Sequence, residues 1–430
     1  MRRAIDLLPT PGAARLAGRR ALPAPLAFAL LASLTVSFLA GASAPTPLYP
    51  LYQSQWGFSA LAVTVIFGVY AVAVLTALLV LGRLSDHVGR RPVLLAATFV
   101  QIVAMALFTT ADGLPALLVA RVVQGLAAGA ALSAIGAGLL DLDRRRGALA
   151  NVVITPTGTA LGGLMAGVLV RFLPAPTQLV YVLLGAVFAL QGAALLYLSE
   201  TVTPRDGAFG SLLPRLRVSA ATRGPLLRAA PAIIAAWALV GLLASLGPAM
   251  LRHIAGVVSP LLSGMAVFVL AGSAGAAVLL LKDHGPRRLL HVGAGALIAG
   301  SALVAASLPA GSTLLYFAGS AIAGIGFGAG FQGGLRGVVA AAAATERAAV
   351  LAVVFIIAYL AMGLPAMGAG YLLSRGIDIE STTQLFAALV VLLTLAAVAL
   401  AAAAGARDGE RGSDVPHDAC ARVAPEDCPS

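Results

Sequence analysis

The chain has 430 residues, 60% of them hydrophobic and only 10% charged, with a mean hydropathy of +0.97. Soluble domains carry about 25% charged residues, so a water-soluble globular fold is excluded and lipid is the main solvent. The net charge of +11 does not mark a nucleic-acid binder here, because the basic residues lie between apolar segments, where they set topology.

Taken in order, the chain opens on five arginines: Arg2, Arg3, Arg15, Arg19 and Arg20. The apolar run behind them ends in Ala42-Ser43-Ala44, a pattern resembling a cleavable secretory signal. The run is long enough to span a bilayer, Pro45 follows it, and many more spans come after. It is therefore expected to stay as the first membrane helix. A membrane helix needs about 20 apolar residues. Twelve segments qualify: 25–45, 58–81, 92–111, 115–139, 148–170, 177–198, 229–251, 259–281, 288–308, 313–335, 349–373 and 382–404. Tyr49, Tyr52 and Trp56 cluster after span one. They read as an interfacial aromatic belt, with an external gate as the alternative.

The predicted organisation is an N-tail (1–24), a six-helix bundle (25–199), a central loop (200–228), a second six-helix bundle (229–404) and a C-tail (405–430). With both termini cytoplasmic, 24 of the 28 basic residues fall on the cytoplasmic side. Arg171, Arg252 and Arg375 fall outside, and Arg121 lies within span four. That asymmetry is a positive-inside pattern and predicts a multi-pass protein of the inner membrane. Cys420 and Cys428 sit in the tail with no common metal spacing. They are expected to be reduced thiols, and no cofactor or metal is expected.

All 17 acidic residues fall in loops, tails or span ends. Arg121 is then the one ionised side chain within the hydrocarbon. Insertion scales put such a charge at roughly +2.5 to +3.5 kcal/mol at a helix centre. Without a mid-membrane carboxylate, its company is backbone carbonyls, Gln124 one turn on, cavity water or an anionic ligand.

The halves resemble each other weakly. "LGRLSDHVGRRPVLL" (81–95) and "LLKDHGPRRLL" (280–290) share Asp-His, paired arginines and Leu, about 200 residues apart. "RRRGALANVV" (144–153) and "TERAAVLAVV" (345–354) are related in the same way. Parallel repeats of this kind build transporters that hold substrate between the halves near mid-membrane. Glycines recur at four-residue spacing: Gly125 and Gly129, Gly158 and Gly162, Gly163 and Gly167, and Gly326, Gly330 and Gly334. Such faces let helices pack closely. Spans five and eleven, the latter with Gly363-Leu364-Pro365, could also bend as the halves move.

The segment Gly82-Arg83-Leu84-Ser85-Asp86-His87-Val88-Gly89-Arg90-Arg91 resembles the signature of the major facilitator superfamily between helices two and three, G-x-L-x-D-x-x-G-R-R/K. Arg121-Val122-Val123-Gln124-Gly125 resembles its R-x-x-Q-G element, and Ser199-Glu200-Thr201 the ending of its sixth helix. Gly158-Thr159-Ala160-Leu161-Gly162-Gly163 is similar to the antiporter signature G-P-x-x-G-G. Its proline is replaced, and Pro156 lies two residues ahead. The chain looks most like the bacterial drug-efflux-type permeases. The resemblance implies an all-α integral membrane fold of twelve transmembrane helices in two six-helix bundles.

From the residues alone, Gly82 and Gly89 permit tight turns and Asp86 lies within reach of Arg90, four residues on. The resemblance implies that Asp86 also faces the N-terminus of span eleven and latches the cytoplasmic side, whereas the arginines by themselves could serve topology only. It implies that Arg121 and Gln124 belong to a coupling or substrate-orienting site on a central cavity. The alternative is a structural arginine bonded to the backbone of span one. It also places the cavity between spans one, four, seven and ten, with Ser37, Gln124, Trp237, Phe327 and, from span eleven, Tyr359 as candidate lining. An apolar lining favours lipophilic or weakly polar substrates.

The function that follows is alternating-access export of a small molecule, with protons as the coupling ion by analogy and the monomer as the functional unit. An importer of a small neutral or anionic metabolite is the runner-up. A membrane enzyme would need clustered His, Asp or Glu near a face, and the short loops carry none. His253 and His291 lie near span ends, where titration near neutral pH and plain surface placement are both open.

Overall fold

The computed structural model describes residues 21–214, 216, 218–343 and 345–413, with side chains up to Ala403. The basic N-tail, Arg215, Arg217, Cys420 and Cys428 lie outside the described residues, as do the side chains of the C-tail.

Among the described residues the chain is helical throughout, without strands. Eleven helices are long and apolar enough to cross a membrane. They are span one (Ala24–Trp56, in pieces), two (Ala60–Leu81), three (Arg90–Thr109), four (Leu114–Leu142) and five (Arg144–Phe172), then seven (Ala220–Ala255), eight (Pro260–Leu280), nine (Pro286–Ser307), ten (Thr313–Ala341), eleven (Arg347–Ser374) and twelve (Ile379–Ala403). The expected twelfth crossing is the sixth, Leu179–Leu195, 17 residues long. It sits at the short end of the spanning range of about 17–25 residues and continues through three tight turns to Leu198. Spans one to six pack as one bundle and seven to twelve as the other.

Two boundaries differ most from the sequence reading, each for a local reason. Span one does not end at Pro45. A 3-10 turn, Thr46–Leu48, carries it into a second helix, Tyr49–Trp56. Pro45, Pro47 and Pro50 stand at the starts of these pieces, where a missing N–H costs nothing. The continuation stops at Gly57, which takes the left-handed conformation. Span seven starts at Ala220 rather than 229, so the central loop is shorter than expected. Ser219 precedes this helix, and Thr222 is buried in its first turn. Within the loop lies a four-residue helix, Ala208–Ser211.

The glycine faces do packing work. A methyl group on Gly125 or Gly129 would strike Ala73 or Ala77 of span two, 2.6 Å away in each case. Span five uses two faces. Gly158 and Gly162 lie on Val36 and Ala40 of span one, within the first bundle. Gly163 and Gly167 lie on Val267 and Gly264 of span eight, in the second. Span five is therefore a joint between the halves, and one turn of glycines serves each side.

Candidate functional site

Three clusters take up the residues singled out in the sequence. The first is Gly82–Arg91, on what we term the motif face. Gly89 adopts φ 110° and ψ 152°, a region open essentially to glycine. A Cβ there would meet Glu200 Oε2 at 2.5 Å. Glu200 accepts from the backbone N–H groups of Arg90 (2.8 Å) and Arg91 (3.1 Å). It thereby covers the positive N-terminus of span three. Arg90, only 8% exposed, donates to Asp86 and Ser85, and to Asp141 at 3.2 Å. Arg91 reaches the Leu196 carbonyl at 2.7 Å. His87 ties in the central loop through the Asp206 carbonyl at 3.1 Å.

Every one of these bonds lies on the first-half side of the molecule or in the central loop. The expected contact of Asp86 with the N-terminus of span eleven is not made by any hydrogen bond or ion pair among the described residues. The Asp86 carboxylate is bonded to Arg90 and its side chain is 51% exposed. The span-eleven helix begins at Arg347 without a side-chain cap.

The second cluster surrounds Arg121, which is 1% exposed. Its guanidinium donates from Nη1 to the Ala42 carbonyl (3.0 Å) and Gln124 Oε1 (2.8 Å), and from Nη2 to the Tyr49 hydroxyl (2.6 Å). Gln124 Nε2 donates to the Gly41 carbonyl at 2.9 Å. The rings of Tyr70, Phe108 and Tyr49 lie 5.1, 5.8 and 5.9 Å from the guanidinium carbon, within cation–π range. The arginine thus has one carbonyl, a phenol, an amide and three ring faces for company, all within the first bundle, while its Nε has no partner among the described residues. This is the structural arrangement weighed from the sequence rather than exposure to a cavity.

Tyr49 and Tyr52 are correspondingly not an interfacial belt. Each is 1% exposed, and the Tyr52 hydroxyl donates to that of Tyr181 at 3.1 Å. Sequence reasoning gave Tyr49 a different role and missed Tyr70, Phe108 and Gln101. Gln101 is fully buried beside Gly41, with neither amide atom partnered among the described residues. A glutamine in the middle of apolar span three was the signal available.

The third cluster is aromatic. Trp237 of span seven lies 5.2 Å from Phe327 and 5.3 Å from Phe331 of span ten, edge-on to both, and 5.5 Å from Tyr359 of span eleven. Three of the five expected cavity residues converge here, and Gln124 is held in the Arg121 cluster. Phe331 was missed, although it stands four residues from Phe327 on the same helix face. Ser37 is elsewhere. It is buried in the first bundle and accepts from Gln191 Nε2 at 2.9 Å, so it lines no shared cavity.

The two halves meet through small side chains. Span two packs on span eleven, where a methyl on Gly68 would sit 2.9 Å from Met367 Sδ and one on Gly370 3.0 Å from Leu61 Cα. Span five packs on span eight from Gly167 against Gly264 inward to Pro156 against Gly275. Phe67, Ala71, Met362 and Ala366 form an apolar plug between the halves, with Trp237 and Tyr359 against it. The span-two to span-eleven contacts lie toward the face opposite the motif. On that far face a pocket of about 340 Å³ is lined by Tyr49, Gln53, Ser245, Arg252, His253 and Leu373, among others.

These features define a multi-pass helical membrane protein built from two packed bundles. The chain belongs to the Major Facilitator Superfamily, whose family model matches residues 30–366. Among curated proteins it is similar to the multidrug resistance protein MdtL of Klebsiella pneumoniae, 29% identical over 187 residues, covering 40% of this chain and 46% of MdtL. It is also similar to the major facilitator-type transporter psiT2 of Psilocybe cubensis, 37% identical over 105 residues, covering 24% of this chain and 20% of psiT2. The matches span less than half the length of either relative. Among solved structures, the POT family transporter PepTSo superposes with a TM-score of 0.72 at 10% identity, over 88% of this chain and 98% of that one. The nucleoside transporter NupG (D323A mutant) gives 0.68 at 14%, over 88% and 100%. A bacterial homologue of the human lysosomal transporter Spinster, in an inward-facing and unoccupied conformation, gives 0.66 at 16%, over 88% and 95%. At these identities the likeness is one of fold.

Proposed function

We propose that the protein is a secondary active exporter of a small lipophilic or weakly polar molecule, driven by proton antiport across a bacterial inner membrane, with both termini cytoplasmic. The observation that carries the alternating-access part is the placement of contacts between the halves. The apolar plug and the span-two to span-eleven contacts hold the far face together, while Asp86 on the motif face is half exposed and bonded only within its own half. This is the pattern of a carrier open toward the motif face. Rocking the halves the other way would bring Asp86 to the free N-terminus of span eleven, where a carboxylate gains about 0.3–1 kcal/mol, more if partly buried. Export is supported by the likeness to MdtL, a multidrug resistance protein, and by the aromatic, uncharged character of the third cluster.

An importer remains the second reading, since the fold is also that of a nucleoside transporter. Its anionic form loses support from the geometry of Arg121, whose outer nitrogens already have protein partners. The deciding experiment is a substrate panel on purified protein in liposomes with an imposed pH gradient of either sign. Export by antiport predicts substrate flux opposite to the proton gradient and proton movement on substrate addition. Flux along the proton gradient would establish symport instead, and flux indifferent to it uniport.

A further inference from the structure

The aromatic cluster of the second half has features that packing alone does not require. Trp237, Phe327, Phe331 and Tyr359 come from three helices, and all are partly exposed rather than sealed in the core. Yet Trp237 and Tyr359 border the plug between the halves, and Tyr359 packs against the first-half core that includes Tyr70. Trp237 stands edge-on to two phenylalanines but meets Tyr359 at 39°, neither stacked nor perpendicular. Aromatic pairs favour offset-stacked or edge-on geometry, so this is where an added ring would gain most. The indole Nε1–H of Trp237 is buried with no acceptor among the described residues, and a buried donor left unpaired costs about 1–3 kcal/mol.

Charge decides between ligand classes. No Asp or Glu occurs within span seven (Ala220–Ala255), span ten (Thr313–Ala341) or span eleven (Arg347–Ser374), so nothing on the helices that carry these rings would neutralise a cation. The nearest buried formal charge of the first half, Arg121, is positive and lies over Tyr70, in the core against which Tyr359 packs. Ring faces alone attract a cation modestly, about 0.5–2 kcal/mol, against a desolvation cost of several kcal/mol per ion.

We infer that Trp237, Phe327, Phe331 and Tyr359 form a binding site for a neutral, planar aromatic molecule that carries a hydrogen-bond acceptor, with the acceptor taken by Trp237 Nε1–H. The inference rests on the transport reading only for the purpose of the site. Binding itself is tested separately.

The chain has two tryptophans, Trp56 and Trp237. Trp56→Phe keeps a ring on Tyr52 and leaves Trp237 as the sole indole reporter. In nanodiscs, three probes of one shape are titrated at a pH where acridine is uncharged: acridine, N-methylacridinium and anthracene. All three absorb where tryptophan emits. Acridine is expected to quench Trp237 saturably, with anthracene weaker by about tenfold, the factor one buried hydrogen bond supplies, and N-methylacridinium weaker still. Phe331→Leu should weaken acridine about fivefold. Tyr359→Leu, on another helix, should do the same and covers the case in which Phe331→Leu fails to fold. Equal or tighter binding of the cation, equal binding of anthracene, or quenching that never saturates would each overturn the proposal. Flux in liposomes separates the two ideas. Transport unaltered by both leucine variants sinks the site and leaves the transporter. Saturable acridine binding with no compound moved sinks transport and leaves the site.

Discussion

Arg121 illustrates how a buried charge is stabilised without a counter-ion. Each bond to a charged group is worth about 1.5–3 kcal/mol, so the bonds to Ala42, Gln124 and Tyr49 together offset an insertion cost of roughly 2.5–3.5 kcal/mol. Their geometry depends on the planar fork, which a lysine lacks. Arg121→Lys is therefore expected to lower the thermal midpoint of the purified protein and to abolish flux. Wild-type transport by that variant would show that the fork is dispensable. Tyr49→Phe strands Nη2 and should cost about 1–3 kcal/mol, read from denaturant unfolding. Tyr70→Phe keeps its ring face over the guanidinium and should cost far less. The sequence made the lone charge legible, because counting acids and bases was enough. It hid the role of Tyr49, because Pro45, Pro47 and Pro50 look like the end of a span when they are in fact the start of its next piece. It misplaced Ser37, since a hydroxyl in an apolar helix does not reveal which neighbour's amide it will meet.

Among the elements, span ends are set by side chains that reach back to the backbone. Glu200 holds the start of span three, and Gly89 clears the space for it. Gly89→Ala combines backbone strain of about 1–3 kcal/mol with a collision against that carboxylate. It should reduce the folded yield by size-exclusion chromatography, and Glu200→Ala should relieve the collision without restoring full stability. At span twelve, Asp378 accepts from the Ser381 N–H (2.8 Å) and hydroxyl (2.7 Å). The backbone N–H first, then the hydroxyl, hold its carboxyl below the usual carboxylate range. A lowered folded value means the cap contributes fully above the ordinary carboxylate pKa and is lost as pH falls through the lower one. Asp378→Asn should then show a smaller loss of thermal midpoint on acidification than the wild type, and identical acid profiles would remove the cap from the account. The number and order of the helices could be read from hydropathy. Their exact ends could not, because amphipathic first turns such as that of span seven are too polar for a hydropathy window.

For the whole molecule, the halves are joined by contacts that only small residues allow, notably Gly163 and Gly167 on span eight and Gly370 on span two. A carrier that must open its far face has to break the span-two to span-eleven contact. Thr64→Cys paired with Gly370→Cys, in a chain with Cys420 and Cys428 replaced by Ser, should cross-link under oxidant and stop flux until reduced. A cross-linked protein that still transports would exclude opening at this seam. The bipartite plan was visible in the repeated motifs. The meeting of Trp237, Phe331 and Tyr359 was not, because it joins three helices across more than 120 positions of chain, and no local pattern carries that information.

The broken first span has a mechanical corollary. Tyr49 stands at the wall of the far pocket and, through its hydroxyl, also at the guanidinium of Arg121. The 3-10 turn just before it packs against spans five, seven and eight, so this segment is gripped by both halves at once. Any motion that widens the pocket by shifting Tyr49 takes a partner from the buried cation at the same moment. The free energy of exposing one side of the membrane is thereby tied to how well a charge inside the first bundle is solvated, and by reciprocity whatever re-solvates that charge must favour the exposure.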